Sequence, residues 1–209
     1  MVYLKSNGYV NQNIKVIVIT GTPGVGKTVV SKALATKLGA LYVSLGDLVK
    51  DEKLVDGFDR EREVIIADLK RLTKRIEEII YNVETDVIIE GHYAQDVVPS
   101  SIVSHVFVLR RHPEKLKAEY KARGYGEKKV LENLTSEILD VCLIGAIEKY
   151  GLERIDEINV AERDTKDVVN EVLRVLDGRR ESRVGLVDWL SRLEQNGGLS
   201  KILDDLDRI

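Results

Sequence analysis

Cysteine is nearly absent. Cys142 is the only one in 209 residues, which excludes an intramolecular disulfide framework and any multi-cysteine zinc site and points to a reducing, cytoplasmic home (nuclear only for a eukaryotic source). A basic excess is also missing. Lys and Arg total 32 against 35 Asp and Glu, for a net charge of −3, so strong direct nucleic-acid binding through bulk electrostatics is not expected. Long apolar runs are lacking: Val16 to Ile19 stops far short of the roughly 20 residues of a membrane span. Met1 to Asn13 carries no apolar block of the signal-peptide kind. No internal repeat or low-complexity tract interrupts the chain. Against these absences stand 44% hydrophobic and 32% charged residues, enough for the packed core of one domain with a small appendage.

Short β-branched runs alternate with amphipathic segments. Lys15 to Thr20, Leu41 to Val43, Asp86 to Glu90, Ser104 to Leu109 and Ile155 to Val160 read as strands, the first as a fully buried parallel one. Helices are expected from Lys27 to Leu38 with Gly39 as its stop, from Asp59 or Arg60 through Ile65, Leu69, Leu72, Ile76 and Ile79, and from Pro113 to about Lys121. Two more are expected from Glu127 to Tyr150 and from Asp164 to Leu176. Strands alternating with helices imply an α/β fold with a parallel sheet covered on both faces.

Between the first strand and first helix lies Gly21-Thr-Pro-Gly-Val-Gly-Lys-Thr28, which matches GxxxxGK[ST] in its required context. Gly24 and Gly26 let backbone N–H groups approach phosphate oxygens, and the helix start adds its dipole. Lys27 is placed to bridge the β- and γ-phosphates and Thr28 to ligate Mg²⁺. Glu90 ends a strand on the edge where ligands collect, and can hold Mg²⁺ directly or through water. His92 is either an activator of water or an ordinary loop histidine. Ala122 to Lys129 joins two helices with two glycines among cations, suiting a lid, and Arg123 is the candidate for stabilising transferring charge in cis. Arg110 and Arg111 leave a strand on the same edge and either contact phosphate or pair with acids. The polar excursion from Ser44 to Asp59 is either a second-substrate segment or a plain surface connection. No Asn-Lys-x-Asp base reader of the GTPase kind is present.

These motifs, with Gly46-Asp-Leu48, Leu54-Val-Asp-Gly-Phe-Asp59, Glu90-Gly-His92, Phe107-Val-Leu-Arg110 and Arg123-Gly-Tyr-Gly-Glu-Lys-Lys129, resemble the adenylate kinase isoenzyme 6 family over roughly Ile14 to Leu176. The resemblance implies a P-loop nucleoside monophosphate (NMP) kinase fold, with five parallel strands in the order 2-3-1-4-5, over residues 14–178. It implies ATP on Gly24, Val25, Gly26, Lys27, Thr28 and the backbone of Val29, with Arg123 reaching it from a short lid at 122–132. An NMP, expected to be AMP, would lie on the segment 44–67, with Gly46, Asp47, Lys50, Asp56 and Arg110 as candidate contacts. Thr28 and Glu90 would hold Mg²⁺, and Lys27, Arg123, Glu90 and His92 would carry the chemistry. The activity implied is a broad-specificity NMP kinase (ATP + AMP to 2 ADP) that also hydrolyses ATP. The family is further described as acting in late small-subunit ribosome maturation and rRNA processing, through small-subunit protein eleven and transient contact with the subunit. Two departures stand out: Glu90 replaces an Asp carried by many relatives, and Val29 replaces a second hydroxyl after Thr28.

Residues 1–13 form an N-terminal extension and 179–209 a helical tail outside the resemblance. In the tail, Leu186, Trp189, Leu190 and Leu193 make one stripe, and Leu199, Ile202, Leu203 and Leu206 a second. The tail either docks on the protein's own surface or serves as a handle for a partner. Cys142 is expected in the core beside Ile138, Leu139 and Ala146. Two other readings stay open: a nucleotide-controlled assembly switch with little kinase role, and a P-loop kinase of another small metabolite.

Overall fold

The computed structural model describes residues 14–60, 62, 64–180, 183–198, 200 and 202. The N-terminal extension 1–13 lies outside these residues, as does the second tail stripe apart from Ile202.

In chain order the elements are β1 (Val16–Thr20), α1 (Lys27–Leu38), β2 (Leu41–Ser44), α2 (Leu45–Asp51), β3 (Val55–Asp59), β4 (Val64–Ala67), α3 (Leu69–Asn82), β5 (Val87–Glu90) and α4 (Ala94–Val97). There follow β6 (His105–Arg110), α5 (Pro113–Ala122), α6 (Glu127–Ile138), α7 (Val141–Tyr150), β7 (Ile155–Asn159), α8 (Thr165–Leu176) and α9 (Trp189–Gln195). Five strands form one parallel sheet in the order β2-β5-β1-β6-β7. With the β3–β4 hairpin set aside, this is the 2-3-1-4-5 order of the resemblance.

Strand parity divides the core. Val16, Val18, Val87, Ile89, Val106 and Val108 face α3, α4 and α7, while Ile17, Ile19, Ile88, Phe107 and Leu109 face α1, α5, α6 and α8. Burial on both sides explains why these strands read as unbroken apolar runs.

Three expectations are corrected. The long helix does not begin at Asp59 or Arg60. Residues Val64–Ala67 pair antiparallel with β3, matching Ile65 to Phe58, and α3 begins after Asp68, whose carboxylate accepts from the Arg71 amide at 3.0 Å. Ile65 is thus an exposed strand residue. The helix expected from Glu127 to Tyr150 is two helices. Asp140 adopts a left-handed φ of 58°, and the Arg110 guanidinium donates to the Glu137 carbonyl at 2.8 Å and to the Asp140 carboxylate, capping α6 and turning the chain. Cys142 is half-buried rather than core: its thiol donates to the His92 carbonyl at 3.8 Å, and neighbouring Leu139 is exposed.

The segment 183–187 runs along β7. Glu157 donates its amide to the Arg183 carbonyl at 2.8 Å, and its carboxylate accepts from the Leu186 amide at 2.6 Å. An exposed sheet edge is thereby covered. Val187, Trp189 and Leu193 then pack with Ile138 and Ile202.

Candidate active site

The carboxyl edge of the parallel sheet gathers the site. After β1 the chain turns through Gly21 at φ 134°, where a Cβ would sit 2.4 Å from the Leu109 carbonyl oxygen. No other residue type fits there. Gly24 and Gly26 also have positive φ, 83° and 107°, and Gly26 leads directly into α1. The loop is braced from outside. Tyr120 donates its hydroxyl to the Pro23 carbonyl, and Arg111 donates to the Gly24 carbonyl at 3.0 Å. Tyr125, in the expected lid, stacks on Tyr120 with ring centroids 5.5 Å apart.

Lys27 is buried and donates to the carbonyls of Gly21 at 2.7 Å and Thr22 at 3.1 Å. Burial holds its ammonium below the ordinary lysine pKa, a pull opposed by the charge of Glu90. Such a poorly solvated cation is primed for an anion. Val25 is buried behind the loop and Val29 is exposed on the first turn of α1.

Glu90 is held in register with Ile19 of β1 and Ser44 of β2. Its Oε1 accepts from the Thr28 hydroxyl and from the Tyr42 hydroxyl, each at 3.1 Å. The glutamate side chain therefore reaches the P-loop hydroxyl itself. Tyr42, desolvated and close to the Glu90 charge, has its pKa pushed up to about 12 and remains a hydrogen-bond donor. Gly91 follows because a Cβ there would meet Leu45 Cδ1 at 2.6 Å. The donor set suits Mg²⁺: two hard oxygens with room for phosphate oxygens and water. Among the described residues there is no cluster of three or more His, Cys, Asp or Glu of the kind that other protein metal sites use.

His92 is exposed on the turn after β5, and partial desolvation, with Lys27 and Lys129 nearby, lowers its pKa to about 4. At neutral pH it is a neutral imidazole, able to orient water but poor as an acid.

Not every expected residue comes to the site. Arg110 is 2% exposed and donates to Glu137 at 3.0 Å, Glu157 at 2.7 Å and Asp140. With its donors engaged by acids, it is a structural cation and not a contact for substrate phosphate. Its neighbour Arg111, one residue on, faces the P-loop. Arg123 is exposed and paired with Glu119 at 2.8 Å, and its charge is close enough to Lys27 to help lower that lysine's pKa. Gly46 and Asp47 lie on the first turn of α2, whose Ser44 cap abuts Glu90; the Asp47 amide donates to Ser44 Oγ at 3.2 Å. Lys50 is exposed on the last turn of α2, and Asp56 is exposed at the bulge of β3.

Two features were not anticipated. Arg60 and Arg62 from the hairpin turn, with Gly124 to Lys129, line a pocket of about 340 Å³. Arg62 joins the turn to α6 through Glu132 at 3.0 Å. The second is Glu137, 1% exposed, which accepts the Thr22 hydroxyl at 2.6 Å. A glutamate inside an expected helix carries no sequence signal of burial, although pairing with acids was one of the two readings open for Arg110.

A family model described as an AAA domain matches residues 17–140. Archaeal proteins named "Putative adenylate kinase" align over most of the chain. The one from Methanocaldococcus jannaschii is 39% identical over 176 residues, covering 84% of this chain and 93% of its own length. The one from Pyrococcus furiosus is 35% identical over 185 residues, covering 86% and 94%. A solved gluconokinase from Sinorhizobium meliloti 1021 matches with a TM-score of 0.50 at 16% identity, over 79% of this chain and 93% of its own, a likeness of fold alone. No helix among the described residues is long and apolar enough to cross a membrane.

Proposed function

The chain belongs to the P-loop family described as an AAA domain, alongside those archaeal relatives, and on that footing we propose that it is a Mg²⁺-dependent NMP kinase converting ATP and AMP to two ADP. The observation that carries this reading is the Lys27, Thr28 and Glu90 constellation at the mouth of a glycine-strained loop. The phosphates of ATP would rest on backbone N–H groups from Gly24 to Val29 at the start of α1. Lys27 would exchange its carbonyl partners for β- and γ-phosphate oxygens, gaining a charge-assisted bond where it now has neutral ones. Thr28 and Glu90 would hold Mg²⁺, which supplies charge neutralisation between the phosphates when bound.

The acceptor NMP would lie toward α2 and the hairpin, near Gly46, Asp47, Lys50 and Asp56. With Arg110 committed to the core, positive charge for its phosphate would come from Arg60, Arg62, Lys128 and Lys129 around the 340 Å³ pocket. Arg123 would leave Glu119 as the lid closes and stabilise the transferring group. Neutral His92 would orient a water when no acceptor is bound, which gives the ATPase activity. Transfer of label from γ-labelled ATP to a panel of NMPs tests this: label is expected in a nucleoside diphosphate, and label released only as inorganic phosphate would overturn the kinase reading.

The finer assignment to the isoenzyme 6 family, and with it a role in late small-subunit maturation, forms a second reading. It is favoured by the acidic balance of the chain and by an exposed apolar hairpin bearing Phe58, Ile65 and Ile66, which together suit a basic protein partner such as small-subunit protein eleven. Affinity for that protein should differ between ATP, ADP and nucleotide-free forms; equal affinities would exclude nucleotide control.

A further inference from the structure

One carboxylate links the phosphate loop to the C-terminal helix. Glu137 is 1% exposed, and its two oxygens serve different parts of the molecule. Oε2 accepts the hydroxyl of Thr22, the second residue of the loop, at 2.6 Å. Oε1 accepts the indole N–H of Trp189 at 3.0 Å, together with the Arg111 amide at 3.1 Å and Arg110 Nε at 3.0 Å. Trp189 is the only tryptophan in the chain and is itself 1% exposed. Its ring meets His112 edge-on, with centroids 5.0 Å apart, and Arg192 lies over it at 5.2 Å.

We infer that Glu137 is a positioning residue for the nucleotide loop and that, through it, nucleotide occupancy and the seating of the Trp189 helix are coupled. The path is short. Lys27 is tied to the Thr22 carbonyl at 3.1 Å, Thr22 to Glu137, and Glu137 to Trp189. If Lys27 turns to a phosphate, as the nucleotide-binding reading on which this inference rests requires, the Thr22 carbonyl loses its ammonium. The Thr22 hydroxyl then shifts against a carboxylate that cannot rotate without disturbing the indole. A buried acceptor sharing several donors in a tightly packed site transmits such a shift rather than absorbing it. Linkage makes the effect reciprocal: if nucleotide alters the seating of Trp189, a change in that seating must alter nucleotide affinity. The tail is therefore part of the nucleotide site's support.

The test uses the full chain and two signals in one titration: binding heat for ATP with Mg²⁺, and emission of Trp189 under selective excitation. Emission is expected to change with the same midpoint as the heat. Heat without any change in emission or in iodide quenching of Trp189 overturns the coupling while leaving nucleotide binding intact. The absence of heat overturns the nucleotide reading itself.

Two variants separate support from mere folding. Trp189→Phe keeps the ring packing and removes the donor; it should weaken ATP binding about five-fold, the low end of measured coupling between sites, with far-UV circular dichroism unchanged. Thr22→Val removes the hydroxyl on a similar shape; it should weaken ATP binding to a similar degree and, at saturating ATP, lose most of the Trp189 signal. Wild-type affinity in the first variant and wild-type signal amplitude in the second would contradict the inference.

Discussion

The hydroxyl of Thr28 donates to Glu90 Oε1 at 3.1 Å, which joins the first turn of α1 to the end of β5 across the site where two phosphates and a cation would meet. One stands in the first turn of a helix and the other at the end of a strand. Their contact reads as a site waiting for a charge between them. Glu90→Gln keeps the shape and removes the charge. Turnover at saturating ATP should fall about 100-fold, a loss of the size seen when one transition-state electrostatic contact is removed, and the variant's dependence on Mg²⁺ concentration should shift to higher values in a coupled ADP assay.

Lys27 gives a test with opposite signs for activity and stability. Burial lowers its pKa in the folded protein below the 10.5 of the unfolded chain. Between those two values the unfolded state binds more protons, so stability rises with pH across that window and is lowest where Lys27 is charged. Lys27→Met should therefore reduce turnover about 1,000-fold while raising the thermal midpoint of the nucleotide-free protein at neutral pH, because the buried charge is removed.

His92 is neutral at pH 7 because its surroundings lower its pKa to about 4. Folded His92 binds fewer protons than the unfolded residue between about 4 and the ordinary 6.5, so this residue makes stability rise with pH over that range and fall on acidification through it. Hydrolysis of ATP without acceptor should show no inflection near 6.5, with its acid limb closer to 4. His92→Gln should lower that hydrolysis about ten-fold and leave transfer to AMP less affected, as separate initial-rate assays would record.

Arg110 and Arg111 are adjacent in sequence and opposite in role. Removal of Arg110 leaves Glu137 and Glu157 as buried acids without their cation. Arg110→Ala should cost about 3–5 kcal/mol in denaturant unfolding. Arg111→Ala should cost under about 1 kcal/mol, as for a half-exposed cation, and should instead raise the Kd for ATP by loosening the Gly24 carbonyl. If the two variants exchanged phenotypes, the assignment of both would be reversed.

The phosphate loop was legible because its glycines and lysine are required by backbone geometry and charge at fixed spacing, and Glu90 because an acid at the end of a buried run breaks the apolar pattern. The β3–β4 hairpin was not. Ile65, Leu69 and Leu72 satisfy helical spacing as well as Val64 to Ile66 satisfy a strand, and with Phe58, Ile65 and Ile66 all exposed, burial gave no cue to choose between them. Arg110 and Arg111 could not be separated from sequence, since which of two neighbouring cations turns inward depends on where Glu137 and Glu157 lie. The break between α6 and α7 has the same origin: a tertiary contact from Arg110 overrides local helix propensity at Asp140. Trp189 showed its apolar stripe in the sequence, but its partner Glu137 lies 52 positions away.

Phosphorus NMR of ATP, AMP and Mg²⁺ incubated with the full chain, beside a control without AMP, tests the phosphotransfer claim most directly. The expected result is ADP growing as ATP and AMP fall together, two ADP for each AMP consumed, with slower release of inorganic phosphate in the control. An AMP signal that stays constant, with folded protein confirmed by circular dichroism, would contradict the account.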